Sequence, residues 1–139
     1  MLRINRLRVE INTVNGVYGI DESFNEGLNF VASKENTCGK SSILAAIYYC
    51  LGLEQILGGV AGIGGKVLTS AFKNVIDDNG TSWNVTESGA YLEISNGTET
   101  ITIYRNIKAE NKDNRLITVY FGKYDAIENP QIESEDFYV

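Results

Sequence analysis

Gly39-Lys40-Ser41 places a Cβ-free backbone, a cation and a hydroxyl side by side, the set of groups that holds a polyphosphate and its metal ion. The tripeptide closes the stretch Lys34-Glu35-Asn36-Thr37-Cys38-Gly39-Lys40-Ser41, with Ser42 next. In a loop that leads from a strand into a helix, the backbone N–H groups and the helix N-terminus present partial positive charge to the β- and γ-phosphates. Lys40 adds a point charge on the same phosphates, and the Ser41 hydroxyl is expected to coordinate Mg²⁺. Gly39 lets the backbone approach where a Cβ would collide. The expected ligand is a purine nucleoside triphosphate with Mg²⁺, held by Lys34, Glu35, Asn36, Thr37, Cys38, Gly39, Lys40, Ser41 and Ser42. Lys34 stands where the pattern G-x-x-x-x-G-K-[ST] opens on glycine, and it brings a second cation to the loop.

Other chemistry is sparse. The chain has no histidine, which excludes His-based acid–base catalysis and most zinc sites. Cys38 and Cys50 are separated by loop and helix, so they are read as free thiols. Gly62-Ile63-Gly64-Gly65-Lys66 imitates the end of a phosphate loop, but Val67 follows and offers Mg²⁺ no hydroxyl. Leu57-Gly58-Gly59 reads as loop.

The elements that must position the loop follow from periodicity. Leu2 to Ile11 alternates as a strand whose two phases break at Asn5-Arg6. Asn15-Gly16 predicts a turn into an antiparallel partner at Val17 to Ile20. After a turn at Glu26-Gly27, Leu28 to Ala32 reads as a short buried strand. Lys40 to Gly52 is a helix, with Ile43, Leu44, Ile47 and Leu51 on one face and Gly52 as its C-cap. Gly58 to Gly65 is a loop, and Lys66 to Asp77 is read as a second helix ended by Asn79-Gly80. Strands follow at Ser82 to Val85, Ala90 to Ser95 and Glu99 to Ile107, the last two joined at Asn96-Gly97. Lys108 to Asn114 is a polar turn, Leu116 to Phe121 a strand, and Asp125 to Val139 an irregular acidic tail.

Composition narrows the classes further. A length of 139 residues suits one domain, and 43% hydrophobic with 22% charged residues argues against disorder. The single proline, Pro130, leaves no Pro-rich linker. With 18 acids against 12 bases the net charge is −6, so no overall field draws the chain to DNA or anionic lipid. Arg3, Arg6 and Arg8 form the one basic cluster. No apolar run is long enough for a membrane span, and charge interrupts Met1 to Arg6 too often for a signal peptide. The N-x-Thr triplets at Asn79, Asn84 and Asn96 then carry no glycosylation meaning, and a cytoplasmic location is expected.

Asn36-x-x-Gly39-Lys40-Ser41-Ser42-Ile43-Leu44-x-Ala46-Ile47-x-x-x-Leu51-Gly52, preceded by Gly27-Leu28-Asn29-Phe30-Val31, resembles the start of the SMC, RecF and RecN class of ABC-type ATPases. The resemblance extends over most of residues 1–122 and is sharp at 27–52. It implies an α/β fold: the N-terminal lobe of a P-loop NTPase, with a mixed β-sheet, antiparallel hairpins and one main P-loop helix. It also implies one lobe over 1–139, laid out as strands, loop and helix at 1–52, a Gly-rich loop and helix at 53–78, hairpins at 79–122 and the tail at 123–139. ATP and Mg²⁺ are the implied cofactors, since no base-reading motif by itself separates ATP from GTP.

The class's Walker B element, four apolar residues and then Asp-Glu, has no match, because Asn74-Val75-Ile76-Asp77-Asp78 has only two apolar residues before its acids. The Ser-Gly-Gly signature and the coiled coil are also missing, and glycine is usual where Lys34 and Thr37 stand. The class's loop glutamine, which helps hold Mg²⁺, is matched here only by Gln131. In the class the missing parts lie far downstream. The chain therefore reads as the ATP-binding N-terminal half of a longer ATPase acting in DNA repair, chromosome handling or defence against foreign DNA, without catalytic residues of its own. Implied partners are the C-terminal lobe, a second copy joined through nucleotide and, for the full-length protein, DNA; a membrane is not expected. Two other readings are open: a nucleotide-sensing interaction module without hydrolysis, and a small P-loop kinase. The kinase reading needs downstream arginines, and only Arg105 and Arg115 follow the loop.

Overall fold

A computed structural model describes residues 1–32, 40–57, 68, 70–128 and 132–139. It is an α/β structure dominated by an antiparallel sheet of β1 (Arg3–Thr13), β2 (Gly16–Ser23), β3 (Val75–Asp78), β4 (Thr81–Ser95), β5 (Thr100–Lys108), β6 (Leu116–Tyr120) and β7 (Ser134–Tyr138). The spatial order is β2-β1-β4-β5-β6-β7, and β3 pairs with the first part of β4. All pairings among the described strands are antiparallel, so the parallel part of the expected mixed sheet is not among them. Two α-helices, α1 (Lys40–Cys50) and the single-turn α2 (Ser70–Lys73), lie on one face.

Strand alternation builds the core. Leu7, Val9 and Ile11 of β1, Ala90 and Leu92 of β4, and Ile103 and Ile107 of β5 turn to the helical face, where all are buried. Truncating Leu7 or Leu92 to alanine would cost about 2–5 kcal/mol. The phase break at Asn5-Arg6 is a β-bulge: Ile4 pairs with Ile94 and Arg6 with Glu93, leaving Asn5 as the extra residue. The bulge lets Ile4 and Leu7, three apart, both contribute to the core side.

Helix α1 begins and ends near the expected residues, and Gly52 with φ +70° closes it. Gly52 donates its N–H to the Tyr49 carbonyl at 3.1 Å, and Leu53 donates to Tyr48 at 2.9 Å, a Schellman arrangement. Its buried face differs from the expected one. Ala45, Ala46, Tyr49 and Cys50 are buried, Ile43, Ile47 and Leu51 flank them, and Leu44 is 52% exposed. The small side chains of Ala45 and Ala46 allow close approach to the sheet, and that contact sets the helix rotation.

Three further expectations are corrected. The second helix stops at Lys73, and Val75 to Asp78 form β3, because Asn79 (φ +50°) and Gly80 (φ +83°) make a tight hairpin into β4. Residues 82–85 and 90–95 belong to one long strand, not two. The acidic tail supplies β7, whose ladder with β6 is extended by Phe121 N–H to Glu133 O (2.9 Å) and Val139 N–H to Arg115 O (2.9 Å).

Candidate functional site

Lys40 opens α1 and Ser41 and Ser42 continue its first turn; Lys40 and Ser42 are half-buried and Ser41 is exposed. The first turn contains no acid, and among the described residues no carboxylate pairs with Lys40. The positive end of the helix dipole and the Lys40 ammonium are therefore not neutralised by a described side chain. Lys34, Glu35, Asn36, Thr37, Cys38, Gly39 and Gln131 lie outside the described residues, as do residues 62–66.

The chain reaches this helix by an unusual route. The Asn29 side chain closes a turn, accepting from the Asn25 N–H at 2.9 Å and donating to the carbonyls of Asn25 (2.9 Å) and Gly27 (3.3 Å), with Gly27 at φ +81°. Beyond it, residues 28–32 form no strand and pair with no described strand, which corrects the expected buried strand. Leu28 is 80% and Phe30 85% exposed. A cleft of about 410 Å³ separates this segment from Ile43 of α1 and the end of β2. The pattern of apolar residues is that of a central strand, but no described strand lies against it.

The far end of α1 is held by a buried cation. Arg105 and Glu54 are both fully buried and form a two-pronged pair at 2.8 and 2.9 Å. Arg105 also donates to the Tyr49 carbonyl (2.8 Å) and the Asn114 carbonyl (2.6 Å), and its guanidinium lies 4.0 Å from the centre of the Tyr49 ring. Burial, the largest influence, pushes the Glu54 carboxyl up, but the Arg105 hydrogen bonds, a backbone hydrogen bond and the guanidinium charge together outweigh it and bring the group below its ordinary value. The Tyr49 hydroxyl donates to Asn106 O at 2.6 Å, and burial raises its pKa. Sequence reading missed this clamp, although one signal was legible: Arg105 occupies the apolar phase of β5, between Ile103 and Ile107. A cation there must find an anion. Nothing local marked Glu54 as that anion.

The basic cluster is internally compensated on the opposite sheet face. Arg6 makes a two-pronged pair with Asp21 (2.7 Å on each prong) and a contact with Asp125 at 3.0 Å. Arg8 pairs with Glu10 at 2.9 Å and Asp21 at 2.8 Å. The Arg6 hydrogen bonds, helped by Arg8, hold the Asp21 carboxyl below the usual carboxylate range. Both guanidiniums sit over the Tyr124 ring, at 4.6 and 5.4 Å. The remaining arginine downstream, Arg115, pairs with Asp113 at 3.1 Å, while Arg3 pairs with Glu26 at 2.6 Å.

The acids once considered for a Walker B role are occupied. Exposed Asp77 accepts from the Ser82 hydroxyl, and half-buried Asp78 accepts from the Tyr18 hydroxyl at 2.8 Å. Among the described residues no group of three or more acids or cysteines is placed to hold a metal. No helix among them is long and apolar enough to cross a membrane. Comparison of the chain with protein-family models, curated protein sequences and solved structures returned no match.

Proposed function

We infer that residues 1–139 are an ATP- and Mg²⁺-binding lobe of a P-loop ATPase, and more particularly the N-terminal half of an SMC-like ABC-type enzyme. The observation that carries this reading is the helix start. A Gly-Lys-Ser sequence opens α1, with no acid in the first turn and no described carboxylate on Lys40. A helix N-terminus beside an ammonium that no described carboxylate pairs favours a polyanion. The donor set fits the expected cofactors: Lys40 for the phosphates, and the exposed Ser41 hydroxyl for Mg²⁺. When bound at Ser41, Mg²⁺ would offset the negative charge of the phosphates.

The half-site part of the reading is supported by residues 28–32. An apolar segment that leads directly into a phosphate loop is expected between two other strands, yet Leu28 and Phe30 face solvent. Covering each would stabilise the fold by about 1.5–3 kcal/mol. A further lobe that supplies neighbouring strands, acids for Mg²⁺ and a water-activating base accounts for the exposed segment and for the lack of those groups among the described residues. The kinase reading loses support, because Arg105 is committed to Glu54 and Arg115 to Asp113.

Calorimetry with ATP and Mg²⁺ on the chain and on Lys40→Ala is the direct test. Binding by the first and none by the second is expected, with matching circular dichroism spectra. Equal affinities would remove the phosphate-loop assignment.

A further inference from the structure

Among the described residues, the hydrogen bonds that join α1 to the sheet all fall on its last turn. The Tyr49 hydroxyl donates to Asn106 O, and Arg105 donates to the Tyr49 carbonyl. Arg105 also grips Glu54, which follows the Schellman turn at the end of the helix. At the other end, Lys40 and Ser42 are half-buried while Ser41 and Leu44 are exposed, so the first turn gains little hold from packing. Between the ends lie Ala45 and Ala46, whose single methyl groups are buried. A contact centred on methyl groups is smooth and resists tilt or rotation weakly.

A fully buried ion pair adds little stability, since two apolar side chains of similar volume often do as well or better. What the pair does supply is direction. The planar guanidinium fork favours one arrangement with the Glu54 carboxylate, and a further bond ties the same cation to the Asn114 carbonyl. Direction matters at the far end of the helix. From Lys40 to Tyr49 the helix rises about 13 Å, so a tilt of about 10° at the last turn moves the first turn by about 2 Å. Hydrogen bonds tolerate only about half an ångström. We propose that the Arg105–Glu54 pair is the positioning device of the nucleotide site: it aims the first turn of α1 so that Lys40 and Ser41 meet the phosphates and Mg²⁺, a role that rests on the phosphate-loop reading. Arg105 touches no phosphate in this role and acts through α1.

Aim and affinity are measured separately on residues 1–139. Arg105→Met with Glu54→Leu removes the pair, and Arg105→Lys keeps the cation but not the fork. In the nucleotide-free chain, amide residual dipolar couplings give the direction of the α1 axis relative to β1, β4 and β5. Both variants stay folded by circular dichroism, with the axis turned by about 10° or more. Calorimetry shows them binding ATP with Mg²⁺ at least about fivefold more weakly than the unaltered chain. Leu92→Ala is the control: it loosens the core but leaves every bond of the pair in place, and it keeps both the axis and the affinity. An unchanged axis in the folded variants overturns the proposal whether or not ATP binds. A turned axis with unchanged affinity also overturns it, as does a Leu92→Ala chain that loses as much affinity as the others. No binding by the unaltered chain sinks the phosphate-loop reading and the role at the nucleotide site with it, and the axis then decides by itself whether the pair orients α1.

Discussion

Removing the Glu54 carboxylate tests whether the buried clamp holds α1 to the sheet. In Glu54→Ala the Arg105 guanidinium stays fully buried but loses its only counter-ion among the described residues. It keeps two carbonyl acceptors, Tyr49 O and Asn114 O, and the Tyr49 ring. Breaking a buried pair from one side costs about 3–5 kcal/mol, because the remaining charge is uncompensated. Against a total stability of about 5–15 kcal/mol for such a domain, that loss consumes a fifth or more. Glu54→Leu with Arg105→Met removes both charges and leaves the Asn114 carbonyl without its Arg105 donor, at about 1–3 kcal/mol, while the Tyr49 carbonyl keeps the Gly52 N–H. The double variant should therefore be no less stable than Glu54→Ala alone, despite carrying one more substitution. Urea unfolding followed by circular dichroism and tyrosine fluorescence measures all three. The sign with pH also follows. Glu54 is depressed in the folded state, so its contribution is complete above its ordinary value of 4.5 and is lost as pH falls through the lower folded value. The difference between the native chain and Glu54→Gln should shrink on acidification below 4.5 and be constant above it. A Glu54→Ala variant within about 0.5 kcal/mol of the native chain, the range of ordinary surface substitutions, would refute the clamp.

Other outcomes are expected from the same structure. Residues 1–139 alone should release phosphate from ATP no faster than background, because positioning of the water and charge stabilisation at the γ-phosphate supply most of the acceleration; steady turnover abolished by Lys40→Ala would show a complete site. Iodoacetamide at pH 8 should modify Cys38 and spare Cys50, since burial closes off the Cys50 thiol and pushes it up to about 12. ATP should then protect Cys38; equal labelling of both thiols in the folded chain would contradict this. The open segment at residues 28–32 should drive self-association at high concentration, and Phe30→Lys should reduce it in sedimentation runs. An unchanged association constant would place the contact elsewhere.

Local chemistry decided much of this molecule. Asn15-Gly16, Asn79-Gly80 and Asn96-Gly97 set hairpins or bends, since positive φ at Gly80 and Gly97 needs residues of that kind. The extent of α1 was legible from its apolar spacing and Gly52, and the β1 bulge from the phase break at Asn5-Arg6. The proposed phosphate loop rests on a motif of consecutive residues, of which Lys40, Ser41 and Ser42 lie among the described residues. Tertiary contacts decided the rest. Val75 to Asp78 has both helical and strand character in sequence, and pairing with β4 settles it as strand. The acidic tail has little strand pattern of its own and is ordered by β6, its neighbour in space. The α1 face that turns inward depends on how close Ala45 and Ala46 can come to the sheet, a distance that no helical period contains. Glu54 and Arg105 are 51 residues apart, and a pair that distant exists only once the helix has packed. Residues 28–32 make the converse case. Their apolar pattern specifies a buried strand, but burial requires neighbours, and a strand without them stays in water however hydrophobic it is.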